Sequence, residues 1–316
     1  MLNRHARTRQ PTPSAPPPIR RRRRVTESAL ILGAGGVLGR ALRAAAPPSL
    51  TVMALSRDEL DVTDAEAVST TLRALHPGLV VNAAAFADVD AAETDAEGAT
   101  AVNALGSRYV AAACRRIGAH LVFVSTAEVF DGSGTTPLAH DGVPQPVNVY
   151  GASKLAGEQA VHEELRGAGT VCRTSWLYGP ASARPLKELL ARLRIPAPVN
   201  AIADRLSAPT SSESLAGTLW HLGTERLGGI HHWCDSGIAT PYDFLVAVAE
   251  EAEILGLIGP PPAIRPVATG EQPEAVQRPR YTVLDKRLTE NALGRPAPHW
   301  RTALRRVLAA GAGARA

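Results

Sequence analysis

"ESALILGAGGVLGRALRAA", residues 27–45, opens on a short apolar run, turns on glycines and continues as a helix-forming stretch. The run reads as a buried strand and the turn as a strand-to-helix junction. Within it, Gly33-Ala34-Gly35-Gly36-Val37-Leu38-Gly39 contains G-x-x-G-x-x-G. Glycines there permit a tight turn and a close backbone approach to a pyrophosphate, which the helix N-terminus then stabilises. Gly33, Gly36, Val37 and Leu38 are the residues this places against a cofactor. A plain turn can carry the same glycines, so the motif takes its weight from the pattern of strands and helices downstream of it.

Apolar strand-like runs recur as "LTVMAL" at 50–55, "GLVVNAAA" at 78–85, "HLVFVST" at 120–126 and "TVCRTSW" at 170–176. Between them lie helical patterns, "DAEAVSTTLRALH", "AEGATAVNALGSRYVAAACRRIG" and "GASKLAGEQAVHEELRG". This rhythm implies an α/β fold, a Rossmann-type doubly wound parallel sheet covered on both faces. With the strand-helix rhythm behind it, the glycine turn reads as dinucleotide binding. After Trp176 the rhythm weakens and proline density rises. Helices such as "SSESLAGTLWHLG" and "TPYDFLVAVAEEAEIL" appear without a strand between each pair. The expected division is a disordered Arg/Pro-rich tail at 1–26, a dinucleotide-binding domain at 27–175, and a smaller mixed α/β C-terminal lobe at 176–316, with some of its chain returning to the main sheet.

The chain has 316 residues, 45% hydrophobic and 20% charged, which suits a globular body rather than a disordered one. Its net charge of +4 belongs to the tail: residues 1–24 hold eight arginines and no acid, leaving 26 basic against 30 acidic residues in the rest. The folded body is therefore not expected to bind nucleic acid. The tail, rich in Pro and Arg, has little to bury. Arginines ahead of an apolar run imitate an export signal, but Glu27 precedes that run and Arg40 interrupts the stretch beyond it. No apolar stretch reaches the roughly 20 residues that span a bilayer. Three scattered cysteines, Cys114, Cys172 and Cys234, have no metal-ligand spacing and fit a reducing, cytoplasmic setting.

At the end of the second strand stand Ser56 and Arg57, where an NAD site usually offers an acid to the ribose; a basic residue favours the extra phosphate of NADP. Asp61 and Val62, in "ELDVTD", are placed to line the adenine pocket, although Asp61 also suits the start of the next helix. Farther on, "NVYGASKLAGE" at 148–158 puts Tyr150 and Lys154 four apart on one helical face, with Gly151, Ala152 and Ser153 slim between them. A cation near a phenol lowers its pKa and suits it to pass a proton. His231-His232 is expected to lie on a strand, with one inward and one outward imidazole, rather than to form a metal site, because no matching ligand set lies nearby.

Together "GAGGVLGR", "ELDVTD", "VVNAAAFADVDAAE", "AVNALG", "VSTAEVFDG", "NVYGASKLAGE", "RTSWLYG", "SAPTSSESLA", "GGIHHW" and "VLDKRLTENALG" resemble the extended short-chain dehydrogenases/reductases, and within them the dTDP-4-dehydrorhamnose reductase family of nucleotide-sugar 4-ketoreductases. The resemblance runs from about residue 28 to about 308. It implies a catalytic set of Thr126, Tyr150 and Lys154, with Tyr150 the acid and Lys154 also holding the nicotinamide ribose. It implies that Ala83, Ala84 and Ala85 lie beside the nicotinamide side of the cofactor, and that Ala87, Thr126, Ala127, Glu128, Trp176 and Arg278 face the substrate. The cofactor it implies is NADPH, with NADH as a tolerated substitute. The partner is a nucleotide sugar in deoxysugar biosynthesis, with a homodimer as one assembly open to the chain.

The chain departs from that pattern at Ala127-Glu128, which replace an aspartate and a tyrosine, and at Ala87, which replaces a threonine. Sugar 4,6-dehydratases carry Thr-Asp-Glu here, so Glu128 resembles a dehydratase base. That chemistry also needs an acid to expel the hydroxyl, and Ala127 supplies none. The expected reaction is hydride reduction of a 4-keto group, with Tyr150 protonating the oxygen, Thr126 bonding it as charge develops and Lys154 keeping the tyrosine pKa low. The rival readings are a nucleotide-sugar epimerase or dehydratase, and a non-catalytic NADP-binding subunit resembling the regulatory subunit of methionine adenosyltransferase.

Overall fold

The computed structural model describes residues 28–180, 182–271 and 276–313, so the reading for the tail at 1–26 lies outside the described residues. The chain runs β1 (Ser28–Leu32), α1 (Val37–Ala44), β2 (Thr51–Leu55), α2 (Ala65–Leu75), β3 (Leu79–Asn82), α3 (Val89–Thr94) and α4 (Ala96–Thr100). A π-helical segment, Ala101–Gly106, leads into α5 (Ser107–Ile117), then β4 (His120–Thr126), a 3-10 turn at Ala127–Val129, α6 (Val149–Leu165) and β5 (Thr170–Thr174). Next come β6 (Leu177–Tyr178), α7 (Leu186–Leu193), β7 (Val199–Ile202), β8 (Thr210–Ser211), α8 (Ser212–Thr224) and β9 (Gly229–His232). The last elements are α9 (Pro241–Ile254), β10 (Ile264–Val267), α10 (Arg287–Leu293) and α11 (Trp300–Gly313).

Six strands pair in parallel in the order β2-β1-β3-β4-β5-β9. Side chains alternate across the sheet, so one strand serves two cores. Ala29 and Ile31 pack with Leu42 of α1 and Leu215 and Leu219 of α8. Leu30 and Leu32 pack on the other face with Leu72 of α2, Val110 of α5 and Val161 of α6. A strand with both faces buried has no polar position to offer, which is why "ALIL" is apolar throughout. The sheet order reverses between β1 and β3, and a crevice opens there at the carboxyl ends of the strands.

Beyond Trp176 part of the chain builds this sheet: β9 pairs with β5, and Trp220 of α8 donates from Nε1 to the Leu42 carbonyl of α1 at 2.9 Å. The remainder forms a lobe with its own core of Tyr178, α7, Phe244 and Val248 of α9, and Trp300 and Leu304 of α11. It also holds the β7–β10 pair.

Two details differ from expectation. The single helix anticipated across 96–118 is split by the π segment at 101–106. There the fully buried Asn103 accepts from the Phe86 amide at 3.0 Å and donates to the Phe86 carbonyl at 3.0 Å and to Ser153 Oγ at 2.9 Å. A long-range polar anchor of this kind locally overrides the α-helical ladder. Strand β9, between α8 and α9, carries the His231-His232 pair on a strand as the sequence implied, and it joins the main sheet. What differs there is that both imidazoles of β9 are buried, because the strand is covered on both faces. His231 Nε2 lies 3.3 Å from the Gly228 carbonyl and His232 Nε2 lies 3.4 Å from Arg173 Nη1. Burial, with the Arg173 charge beside it, holds the His232 pKa down at about 3. Among the described residues no cluster of His, Cys, Asp and Glu could hold a metal, and no helix is long and apolar enough to cross a membrane. Cys114, Cys172 and Cys234 are free and buried.

Candidate active site

Helix α6 carries Tyr150 and Lys154, and its position is set at several points. Asn148 caps it, with Oδ1 accepting from the Gly151 amide at 2.7 Å. Glu93 of α3 accepts from the Val149 amide at 2.7 Å. Farther along, Glu158 pairs with Arg173 of β5 at 2.7 Å and accepts from Ser125 Oγ at 2.5 Å, all three buried. The glycines of α6 are required for contact. A Cβ on Gly151 would lie 2.2 Å from the Glu128 carbonyl oxygen, and one on Gly157 would lie 2.3 Å from that of Asn103. The slim wall noted in the sequence therefore faces the β4 turn.

Tyr150 stands beside Thr126, whose side chain favours the ionised phenol. Lys154 is buried, donating from Nζ to the Val124 carbonyl at 2.6 Å and lying 4.2 Å from the Phe123 ring centre. The expectation that Lys154 holds the tyrosine pKa low needs correcting. Burial first, and then the Glu128 charge, push the Tyr150 pKa up, with the Thr126 side chain pulling the other way. Burial brings Lys154 itself down to about 7 against the pull of Glu158. An ammonium directed at a strand carbonyl and partly discharged near neutrality lends the phenol little charge.

A cavity of about 260 Å³ at the ends of β1, β2 and β3 is lined by Gly33, Gly35, Gly36, Arg57, Asp61, Val62, Ala83, Ala84 and Ala85, joined by Leu60, Phe86 and Val102. Val37 and Leu38 do not line it: Leu38 turns into the sheet core and Val37 packs against Gly179. What they offer is backbone. Helix α1 has no side-chain cap on its N-terminus and no acid in its first turn, so its amides remain for an anion. Asp61 accepts from the Thr63 amide at 2.9 Å and hydroxyl at 2.8 Å, bonds that hold its carboxyl below the usual range. The exposed Arg57 places Nε 3.7 Å from Asp61. Ser56, also outside the lining, donates from both its amide and its hydroxyl to Glu59 at 2.7 Å each. Glu59 had no place in the sequence reading, although S-x-x-E is a recognisable local capping pattern.

A second cavity, about 190 Å³, is lined by Thr126, Ala127, Glu128, Trp176 and Arg278, with Ser175, Arg205, Ser207, Pro241, Pro279 and Thr282. Ala87 is exposed and lines neither cavity. Trp176 tilts against Phe244 with ring centres 5.0 Å apart. Arg278 pairs with Asp90 at 2.9 Å. Glu128 accepts from Asn148 Nδ2 at 2.6 Å, and burial raises its pKa against that bond and against Arg278 and Arg205. Arg205 was missed because an arginine in a loop carries no period; its one signal is that it sits two residues before the "SAPTSSESLA" piece.

The two cavities lie at the ends of neighbouring strands, since β3 and β4 pair with Asn82 opposite Phe123. A profile of the RmlD substrate binding domain matches residues 27–312. A dTDP-4-dehydrorhamnose reductase of Streptomyces griseus is 38% identical over 287 residues, covering 87% of this chain and 91% of that protein. A spore coat polysaccharide biosynthesis protein of Bacillus subtilis (strain 168) is 35% identical over 280 residues, covering 88% and 96%. Among solved structures, that of a dTDP-4-dehydrorhamnose reductase from Bacillus anthracis in complex with NADP matches with a TM-score of 0.83 at 30% identity, covering 89% of this chain and 98% of that one.

Proposed function

The chain belongs to the RmlD substrate-binding-domain family, alongside dTDP-4-dehydrorhamnose reductases, and on that premise we propose that it reduces the 4-keto group of a dTDP-4-keto-6-deoxyhexose with NADPH, in deoxysugar biosynthesis. The observation that carries this reading is the placing of Thr126, at the wall of one cavity, beside Tyr150 of α6, one strand away from a second cavity lined by the glycine turn.

The residues present fit that cofactor. The glycine turn lines the cavity, the first amides of α1 beside it carry no side-chain cap, Leu60, Val62, Phe86 and Val102 offer apolar walls, and Arg57 offers a cation to a 2′-phosphate. When bound, NADPH supplies the hydride. Tyr150 keeps its proton at neutral pH, as its raised pKa requires, and gives it up as negative charge grows on the substrate oxygen. Thr126 orients the phenol and offers a hydroxyl to the same oxygen. Lys154, one turn along α6, is the buried cation nearest in sequence to the acid. The guanidinium groups of Arg205 and Arg278 suit the diphosphate of a nucleotide sugar.

Dehydratase chemistry is less well supported. Among the described residues lining the substrate cavity Glu128 is the only carboxyl, and Ala127 presents a methyl where a second acid would be needed. The Thr126–Tyr150 pair favours catalysis over a purely structural subunit. A cytoplasmic setting belongs to the same proposal, supported by three free, buried thiols. Purified protein incubated with NADPH and dTDP-4-keto-6-deoxyglucose is expected to oxidise NADPH only when the sugar is present. Absence of sugar-dependent oxidation in a protein that binds NADPH would leave the non-catalytic reading standing.

A further inference from the structure

We propose that Glu128 is a specificity-determining residue whose carboxylate accepts a hydrogen bond from the sugar hydroxyl next to the ketone being reduced. The inference rests on the 4-ketoreductase reading and goes beyond it by naming the hydroxyl that the enzyme demands.

The main chain of Glu128 is held against the acid. Its amide donates to Thr126 Oγ1 at 3.2 Å, and its carbonyl oxygen leaves no room for a side chain on Gly151, the residue after Tyr150. Asn148 fixes the side chain. Because Asn148 Oδ1 accepts from the Gly151 amide at 2.7 Å, the orientation of its amide is set. Nδ2 then donates both hydrogens, one to Glu128 Oε2 at 2.6 Å and one to the Gln277 carbonyl at 3.1 Å. Turning that amide over would break all three bonds. Oε2 is therefore committed. Oε1 has no hydrogen-bond partner among the described residues, and Glu128 lines the cavity.

The charges facing this carboxyl come from several elements. Arg278 and Arg205 favour its ionised form, while Asp90 and, most strongly, burial oppose it. The Glu128 charge in turn reaches Tyr150. Arg278 also pairs with Asp90 at 2.9 Å. With Ala127 beside it, Glu128 is the one charged acceptor among the described lining residues.

Tyr150 addresses the oxygen on C4. In a 4-keto-6-deoxyhexose, the carbons flanking C4 are C5, which bears a methyl, and C3, which bears a hydroxyl. An acceptor fixed beside the acid is thus matched to the C3 hydroxyl. A site that buries such an acceptor rejects an analogue lacking the hydroxyl, because the acceptor is then left without a partner.

The test compares kcat/KM for dTDP-4-keto-6-deoxyglucose and its 3-deoxy analogue in the wild type, Glu128→Ala and Glu128→Gln. The wild type should favour the hydroxylated sugar by about 10- to 100-fold, the range of a hydrogen bond to a charged group. Glu128→Ala should bring the ratio to within about threefold of one, while Glu128→Gln, which still bonds a hydroxyl, should keep a ratio above that of the alanine variant. Each ratio is taken within one protein, so a folding defect cancels. If Glu128→Ala slows both sugars equally and leaves the ratio unchanged, Glu128 is structural and the inference falls while the ketoreductase reading stands. A wild type that binds NADPH yet turns over neither sugar overturns that reading, and this inference with it.

Discussion

The nucleotide cavity is lined from 33–36, 57–62, 83–86 and 102, which are the ends of three successive strands and the helical stretch after the third. The substrate cavity is gathered from 126–128, 175–176, 205–207, 241 and 278–282, segments of both the sheet domain and the lobe. A cradle made from consecutive βα turns writes itself into a short stretch of sequence, because each turn must supply glycine or small residues at its own strand end. A cavity assembled from distant loops has no such stretch. Its residues are brought together by the packing of α6 on β4 and of the lobe on both.

The largest effect should come from the point where the two cavities meet in one reaction. Tyr150→Phe removes only the proton and should lower kcat by about 10²- to 10⁴-fold, with NADPH affinity within about twofold of wild type. Titrating NADPH fluorescence beside turnover checks both halves; near-normal turnover would take the acid role away from Tyr150.

A pair of glycine substitutions sharpens the contrast between the cavities. A Cβ on Gly151 would meet the Glu128 carbonyl at 2.2 Å, whereas one on Gly35 meets nothing nearer than Ser56 Cβ at 3.8 Å. Gly151→Ala should therefore cost about 1–3 kcal/mol of stability, seen as a Tm lower by several degrees. Gly35→Ala should leave Tm in place and weaken NADPH binding by roughly tenfold, because the methyl projects where the cofactor backbone approaches. Equal Tm losses would mean that the glycine turn is as tightly packed as α6.

A pH experiment addresses Lys154. Its folded pKa is lowered to about 7, below that of the unfolded chain, so above pH 7 the unfolded state binds more protons and stability from this group rises with pH until the unfolded lysine titrates. Without cofactor, the wild type should gain about 3 °C in Tm per pH unit relative to Lys154→Met between pH 7 and 9. Parallel Tm curves would show that the lysine stays charged in the fold.

The smallest effects belong to the exposed ribose end. Arg57→Ala should reduce the NADPH-over-NADH preference in kcat/KM about fivefold, since the guanidinium is solvated and shared with Asp61. Glu59 holds the two Ser56 donors that a 2′-phosphate could use, so Glu59→Gln should raise the NADPH preference by roughly two- to threefold. If Glu59→Gln lowers that preference, the Ser56–Glu59 contact braces the phosphate site rather than competing for it.

The amino-acid sequence by itself determined the parallel sheet, the glycine turn and the Tyr150–Lys154 face, because each rests on a local period: runs buried on both faces, a turn needing no Cβ, and an i to i+4 spacing. Its motif pieces also hold contacts that only the folded chain explains, as when Glu158 of "NVYGASKLAGE" meets Arg173 of "RTSW". Tertiary structure alone decided the rest. It split the 96–118 helix, because Asn103 answers to Phe86 and Ser153. It buried both histidines of β9, where one was expected to face outward, since coverage of the sheet edge is supplied by elements far away in sequence. It set the Tyr150 pKa high where the neighbouring lysine had suggested low, because burial and a carboxylate from the β4 turn outweigh a cation aimed elsewhere. Spacing along a chain tells which groups can share a face; the desolvation and charge that those groups feel depend on everything packed against that face.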